Sequence, residues 1–150
     1  MTRLLFVCSG NTCRSPLAEA IGREVSSRSG RRDIEASSAG THAHPGSPAS
    51  DGALLVGIEE GLDLSTHRAR QLTPEILDAS DLILVMAHSH LAKVLEMRPD
   101  ANAHLLAGFA TSGPGASVQD PFGGDLELYR ETYEIIEREV GAVLAMLPPG

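Results

Sequence analysis

Cysteine, aromatic side chains and basic residues are all scarce in this sequence, and the scarcity of cysteine and of positive charge excludes whole classes of protein. The two cysteines, Cys8 and Cys13, lie in one short loop, whereas a secreted disulfide framework spreads its cysteines along the chain. Lys and Arg number 12 against 20 Asp and Glu, and a net charge of -8 repels a nucleic-acid backbone. No apolar run approaches the length that crosses a membrane. We therefore expect neither nucleic acid nor a membrane as a partner.

The N-terminal segment and the chain length indicate location and domain number. The apolar stretch at residues 4–7 is too short for the core of a signal peptide and has no small-residue cleavage site behind it. We therefore expect a cytoplasmic protein. A chain of 150 residues can bury a substantial core without disulfides or metals, and no internal repeat interrupts it. A single domain over residues 1–150 is predicted.

Predicted strands and helices alternate along the chain. Short apolar runs predict strands at residues 3–7, 34–38, 81–86 and 104–106. Serine or threonine followed by proline is typical of a helix start, and predicts helices beginning at the pairs 15–16, 47–48 and 73–74. Further helices are predicted at residues 89–97 and 125–146, the latter capped by Asp125. This order predicts a doubly wound α/β fold, with a central parallel sheet of about four strands and helices on both faces.

The loop after the first strand combines cysteine, glycine and arginine at the place where such sheets bind ligands, beyond the carboxyl ends of the strands. The five residues between Cys8 and Arg14 can curl their backbone N–H groups into an anion-binding nest at a helix N-terminus. The nest, the helix dipole and the Arg14 cation would together stabilise a thiolate at Cys8. We predict a phosphate site with Cys8 as nucleophile and Arg14 as a planar clamp on two phosphoryl oxygens.

Residues 7–16, VCSGNTCRSP, resemble the N-terminal signature of the low-molecular-weight protein-tyrosine phosphatases. Four further segments are similar to family motifs and follow in family order: SAGT at 38–41, HRARQL at 67–72, DLILVM at 81–86 and DPF at 120–122. The resemblance covers essentially the whole chain. It implies a compact doubly wound fold, phosphorylated proteins as substrates, and two-step hydrolysis through a cysteinyl-phosphate intermediate. It also implies that no metal and no organic cofactor takes part.

The resemblance also implies roles for individual residues. Cys8 would be the nucleophile, Arg14 the phosphate clamp, and Asp120 the general acid that protonates the leaving group and then activates water. Local sequence alone would make the Asp120-Pro121 pair a turn. The family match implies that Ser38 and His67 support the loop from behind and that Asn11 braces it. The phosphate-binding loop itself would consist of Ser9, Gly10, Asn11, Thr12, Cys13 and Ser15.

Ser15, Cys13 and two histidine pairs each allow more than one interpretation. Ser15 caps the helix, or its hydroxyl steadies the sulfur as it leaves phosphorus, and the two roles are compatible. Cys13 packs beneath the loop or, as the resemblance implies, forms a reversible disulfide that shields Cys8 from irreversible oxidation. The histidine pairs at 42/44 and 88/90 lack the spacing of a zinc motif, so we predict solvated histidines and no metal site.

Two rival functions have to be weighed against a phosphatase. An arsenate reductase of the same fold needs additional downstream cysteines, and none follows Cys13. A non-hydrolytic phosphocarrier or binding module would not need both Arg14 and Asp120.

Tyrosine-directed members line their cleft with aromatic side chains, but this sequence has no Trp, two Tyr and three Phe. Thr12 and the segment DPFGG at 120–124 look like the bacterial protein-arginine phosphatases, so we predict phosphoarginine first and phosphotyrosine close behind, with Thr12 and Phe122 setting specificity.

Overall fold

The computed structural model describes residues 1–111 and 115–148. Within these ranges four parallel strands form one sheet in the order β2-β1-β3-β4: β1 (Thr2–Cys8), β2 (Ile34–Gly40), β3 (Leu82–Val85) and β4 (Ala103–Leu105). The helices that alternate with them are α1 (Arg14–Arg28), α2 (Asp51–Glu59), α3 (Pro74–Asp78), α4 (His88–Met97) and α5 (Leu126–Met146). The predicted doubly wound α/β fold is confirmed.

Both faces of the sheet are covered, which explains why its strands are apolar throughout. Side chains alternate between the two faces of a strand. In β1, Leu4 and Phe6 pack into one core cluster with residues of α1, α2 and α5, while Leu5 and Val7 pack into the other with Leu77 of α3 and Val94 of α4. In the described part of the chain no helix has both the length and the hydropathy to cross a membrane.

Two predicted helix starts are wrong. α1 begins at Arg14, and Ser15 lies inside its first turn instead of capping it. The Ser15 hydroxyl instead contacts Cys8 and Asn11. α2 begins at Asp51 and not at Ser47-Pro48, because Ser50 is the residue whose hydroxyl accepts from Ala53 N.

Two other predicted caps are confirmed. Thr73 Oγ1 accepts from Ile76 N at 3.2 Å at the start of α3. Asp125 Oδ1 accepts from Leu128 N at 2.9 Å at the start of α5. Side-chain oxygens at these positions satisfy backbone N–H groups that have no partner within the helix.

The carboxyl ends of β1, β2 and β3 lie side by side, and the loop of residues 9–13 leaves the sheet from the middle one. β2 ends at Gly40, where an added Cβ would collide with the Ser9 carbonyl oxygen and lie 2.9 Å from Asn11 N. Only glycine permits this close approach of two backbones. The loop is therefore pressed against the end of β2.

Candidate active site

The carbonyl groups of the loop between β1 and α1 are held from outside by the segments at residues 41–42, 50 and 67. Four hydrogen bonds hold these carbonyl oxygens. The donors are Thr41 N to the Cys8 oxygen (2.9 Å), His42 N to the Ser9 oxygen (2.9 Å), His67 Nε2 to the Asn11 oxygen (2.7 Å) and Ser50 N to the Thr12 oxygen (2.9 Å). In a trans peptide the C=O and the following N–H point in opposite directions. Each bond therefore turns one N–H away from the protein segment that holds the carbonyl.

The backbone N–H groups of residues 9–15 form the complementary half of this arrangement. None of them has a hydrogen-bond acceptor among the residues that the structure describes. Unpaired N–H groups at the start of a helix are an anion site, because they supply donors and the positive end of the helix dipole together. The predicted phosphate-binding loop thus has the geometry of an anion cradle.

Asn11 braces the loop from its centre. Its φ of 56° is the one positive value at a non-glycine residue in the described ranges. The fully buried side chain accepts from Arg70 N at 2.9 Å through Oδ1, and Nδ2 donates to Ser15 Oγ at 2.8 Å and Ser38 Oγ at 2.9 Å. The Arg70 contact fixes which end of the amide is oxygen. Three hydrogen bonds thus hold a left-handed backbone conformation that glycine adopts freely, asparagine occasionally, and most other residues only at a cost in free energy.

Both residues predicted to support the loop contact Asn11. Ser38, near the end of β2, accepts from the Asn11 amide and donates to Glu19 Oε1 at 2.9 Å. His67 donates through Nε2 to the Asn11 carbonyl. Ser38 therefore holds the side chain of Asn11, and His67 holds its main chain.

Cys8 and Ser15 face each other across the loop, with Cys8 Sγ 2.9 Å from Ser15 Oγ. Because Asn11 Nδ2 already donates to the Ser15 oxygen, the Ser15 hydroxyl hydrogen is free to point at the sulfur. A hydroxyl donating to sulfur stabilises negative charge on it. Of the two interpretations of Ser15, the contact with sulfur is the one that matches this geometry.

The guanidinium of Arg14 is only partly satisfied by the protein residues that the structure describes. Its Nη1 donates to the Val118 carbonyl at 2.9 Å, which orients the group, while Nη2 lies 3.6 Å from Asp120 Oδ2. Buried Nε has no hydrogen-bond partner among the described residues. A buried, unpaired donor on a cation is costly unless a ligand satisfies it, and the Nε and Nη2 edge has the spacing of two oxygens of a phosphoryl group.

Asp120 takes part in a turn and also faces the cavity. Its Oδ1 accepts from Phe122 N at 3.1 Å, which is the turn that local sequence predicts, and Oδ2 points toward Arg14. The carboxylate is half exposed, whereas the Arg14 side chain is buried. Asp120 is therefore accessible both to solvent and to a group bound at the loop.

A cavity of about 320 Å³ brings the predicted catalytic and specificity residues together. It is lined by Cys8, Ser9, Gly10, Thr12, Cys13, Arg14, His42, His44, Ser47, Asp120 and Phe122. Phe122 is largely exposed. A larger cavity of about 640 Å³ lies beside α1 on the side of Ser38 and His67, and none of the three predicted catalytic residues lines it. In the described ranges no cluster of three or more histidine, cysteine or acidic residues could hold a metal ion.

Cys13 is buried beneath the loop, in contact with two residues that the sequence did not reveal. Its thiol donates to Ser50 Oγ at 3.2 Å and lies 3.4 Å from the Tyr129 hydroxyl. Burial, together with the hydrogen bond to Cys13, raises the pKa of Tyr129 to about 12. The packing interpretation of Cys13 matches this contact, and both cysteines are free thiols. Tyr129 precedes Tyr133 by one helical turn, and this spacing was the available sign that it shares the buried face of α5.

His90 is buried, contrary to what the sequence predicts. The prediction of a solvated histidine is wrong, because the side chain is 2% exposed and its Nε2 lies 2.8 Å from Ser9 Oγ. Burial, and then the charge of Arg14, lowers the pKa of His90 to about 4. A histidine in the first turn of α4 falls next to the loop because β3, which precedes α4, is the neighbour of β1 in the sheet.

Comparison with known proteins identifies the family. The family model for low molecular weight phosphotyrosine protein phosphatase matches residues 3–148. The chain belongs to this family. It is therefore a phosphatase, and phosphorylated proteins are the substrates that membership implies.

Relatives of this phosphatase carry both arginine- and tyrosine-directed names. It is 35% identical to a protein-arginine-phosphatase of Bacillus subtilis over 89% of each chain. It is 39% identical to that of Geobacillus stearothermophilus, over 90% of this chain and 88% of the relative. Its fold matches the crystal structure of a low molecular weight protein tyrosine phosphatase from T. tengcongensis with a TM-score of 0.92 and 40% identity, covering 98% of this chain and 100% of the other.

Proposed function

We propose that this phosphatase hydrolyses its substrates in two steps through a cysteinyl-phosphate intermediate, with Cys8 as nucleophile, Arg14 as clamp and Asp120 as acid and base. The observation that carries the proposal is a set of donors near Cys8 that have no acceptor among the described residues: the N–H groups of residues 9–15 and Nε of Arg14. Donors already oriented toward a transferring phosphoryl group stabilise the charge of its transition state without reorganisation.

In the first step the Cys8 thiolate attacks phosphorus and the bond from phosphorus to the leaving nitrogen or oxygen breaks. Asp120, protonated, transfers its proton to that leaving atom. The loop N–H groups and Arg14 hold the three equatorial oxygens, and the side chain of Asp120 at the open side of the cavity suits its contact with the departing group. The product is a phosphate ester of the Cys8 sulfur.

In the second step a water molecule attacks phosphorus and the sulfur leaves as a thiolate. Asp120, now deprotonated, takes the proton from that water, so one carboxyl serves in both directions. The Ser15 hydroxyl, 2.9 Å from Cys8 Sγ, stabilises the charge that returns to sulfur. Inorganic phosphate is released and the site regains its starting protonation state.

Phosphoarginine is the substrate that we favour. Thr12 lines the cavity and offers a hydroxyl to a guanidinium, whereas a bulkier apolar residue would leave the guanidinium donors unpaired. The two relatives named protein-arginine-phosphatases support this choice. Phosphotyrosine is the second candidate, because the exposed ring of Phe122 at the cavity can stack on a phenyl group.

Matched phosphopeptides test the substrate. The assay offers wild-type protein two peptides of the same sequence, one with phosphoarginine and one with phosphotyrosine. Cys8→Ser is the inactive control. We expect kcat/KM to be higher for phosphoarginine by about tenfold or more. A higher kcat/KM for phosphotyrosine would assign the second candidate, and turnover by Cys8→Ser at the wild-type rate would reject the cysteinyl-phosphate mechanism.

A further inference from the structure

Ser9, the residue after the nucleophile, is held at two points. Its carbonyl accepts from His42 N at 2.9 Å, and its hydroxyl lies 2.8 Å from His90 Nε2. The next residue, Gly10, has no such support: among the described residues no donor contacts its carbonyl, and the nearest atom to a Cβ added there would be Thr12 Oγ1 at 3.6 Å. The anchors on Ser9 therefore have to fix the direction of the Gly10 N–H.

We propose that His90 is a positioning residue of the phosphate-binding loop, which by holding the Ser9 hydroxyl aims the Ser9 and Gly10 N–H groups at the phosphoryl group. The inference rests on the proposed function of the loop and adds to it a residue on α4. It acts through Ser9, and His90 itself does not line the cavity.

The surroundings of His90 suit this single task. Its other ring nitrogen, Nδ1, is buried without a hydrogen-bond partner in the described part of the chain, so the residue is an expensive choice for packing alone. Burial and the nearby charges of Arg14 and His42 lower its pKa, and Asp120 opposes them only in part. The ring is therefore neutral near pH 7. It carries no charge that would repel Arg14, and it offers one hydrogen bond to Ser9.

The position of His90 in the fold gives the contact its rigidity. It lies in the first turn of α4, directly after β3, and β3 pairs in parallel with β1. The other anchors on the loop carbonyls come from the segment directly after β2, from Ser50 directly before α2, and from His67. His90 is thus the anchor on the β3 side of the loop, opposite the end of β2.

A double-mutant cycle tests the proposal. The variants are His90→Leu, His90→Gln, Ser9→Ala, the Ser9→Ala/His90→Leu pair, and His88→Leu as the matched control on the exposed face of the same turn. Glutamine places a polar nitrogen or oxygen at about the reach of Nε2 and so retains the hydrogen bond. The assays are kcat and KM on p-nitrophenyl phosphate, inhibition by vanadate as a mimic of five-coordinate phosphorus, and thermal unfolding.

We expect His90→Leu and Ser9→Ala each to lower kcat about tenfold with KM changed less than about threefold, because the N–H groups matter most in the transition state. Vanadate should bind these variants more weakly in proportion to the loss of kcat. The double variant should be no slower than the slower single variant, since both changes remove the same contact. His90→Gln should recover most of the activity, and His88→Leu should match wild type.

Losses of kcat that multiply in the double variant would overturn the proposal, as would a His90→Gln protein as slow as His90→Leu. If His90→Leu does not fold, Ser9→Ala decides from the other side of the contact: wild-type kcat and vanadate inhibition in that variant would refute a positioning role. The proposed function has a separate readout, because it fails only if wild-type protein lacks turnover or Cys8→Ser retains it.

Discussion

Asn11→Ala should destabilise the protein by about 4 kcal/mol and nearly abolish catalysis. The substitution removes three buried hydrogen bonds, to Arg70 N, Ser15 Oγ and Ser38 Oγ. At about 1 kcal/mol each, their loss costs about 3 kcal/mol. Alanine at a φ of 56° adds about 1 kcal/mol of backbone strain.

Asn11→Gly separates the two contributions. Glycine also loses the three hydrogen bonds but adopts the left-handed conformation without strain, so we expect it to be about 1 kcal/mol more stable than the alanine variant. Ser38→Ala is the partial deletion: it removes one of the three bonds to Asn11 together with the bond from Ser38 to Glu19, and at about 1 kcal/mol each it should cost about 2 kcal/mol. All three losses are measured by urea unfolding, with kcat on p-nitrophenyl phosphate measured in parallel.

The outcome that refutes this reasoning is specific to each variant. Equal stability of the alanine and glycine variants would show that the backbone of Asn11 stores no strain. A loss below about 1 kcal/mol in both would show that the network does not stabilise the loop. Wild-type kcat in Asn11→Ala would mean that the loop keeps its geometry without this side chain.

Further substitutions test the catalytic residues and the specificity pocket. Cys8→Ser and Arg14→Lys should each lower kcat at least about 1000-fold while circular dichroism stays native, and near wild-type turnover by either would exclude the mechanism. Asp120→Asn should slow poor leaving groups far more than good ones across a series of aryl phosphates; a uniform loss would move the acid role to another group, and Asp125 would be tested next. Thr12→Ile should reduce kcat/KM on phosphoarginine peptides about tenfold while phosphotyrosine turnover holds or rises, and an unchanged ratio would show that Thr12 does not contact the substrate.

The sequence predicts the fold and the loop well because both depend on local signals. The apolar strands and the spacing of Cys8 and Arg14 are each readable within a short window, and the structure has β1 ending at Cys8 and α1 beginning at Arg14. Ser15 and His90 could not be predicted in the same way. Serine before proline is a helix cap by local statistics, but the hydroxyl contacts Cys8 and Asn11 instead. His90 looks solvated until the pairing of β1 with β3 places it against Ser9.

Tyr129 shows the same limit at longer range. It contacts Cys13 and Ser50 only because α5 packs against α1 and α2. Helical periodicity predicts that a tyrosine one turn before Tyr133 faces the core, but it does not say which core residue the hydroxyl reaches. Long-range packing therefore decides the chemistry of such a side chain, and a short stretch of sequence does not reveal that packing.

The donors that hold the loop carbonyls link substrate binding to folding. Residues 41, 42, 50 and 67 supply the hydrogen bonds that turn the loop N–H groups inward, and all of them lie far along the chain from residues 8–12. An isolated peptide of the loop sequence has none of these donors and should bind phosphate no better than an ordinary glycine-containing turn. The cradle exists only after β2, the start of α2 and the segment around His67 have docked. Any oxyanion that occupies it consequently favours the native state over the denatured chain by mass action, so phosphate should raise the melting temperature with increasing concentration.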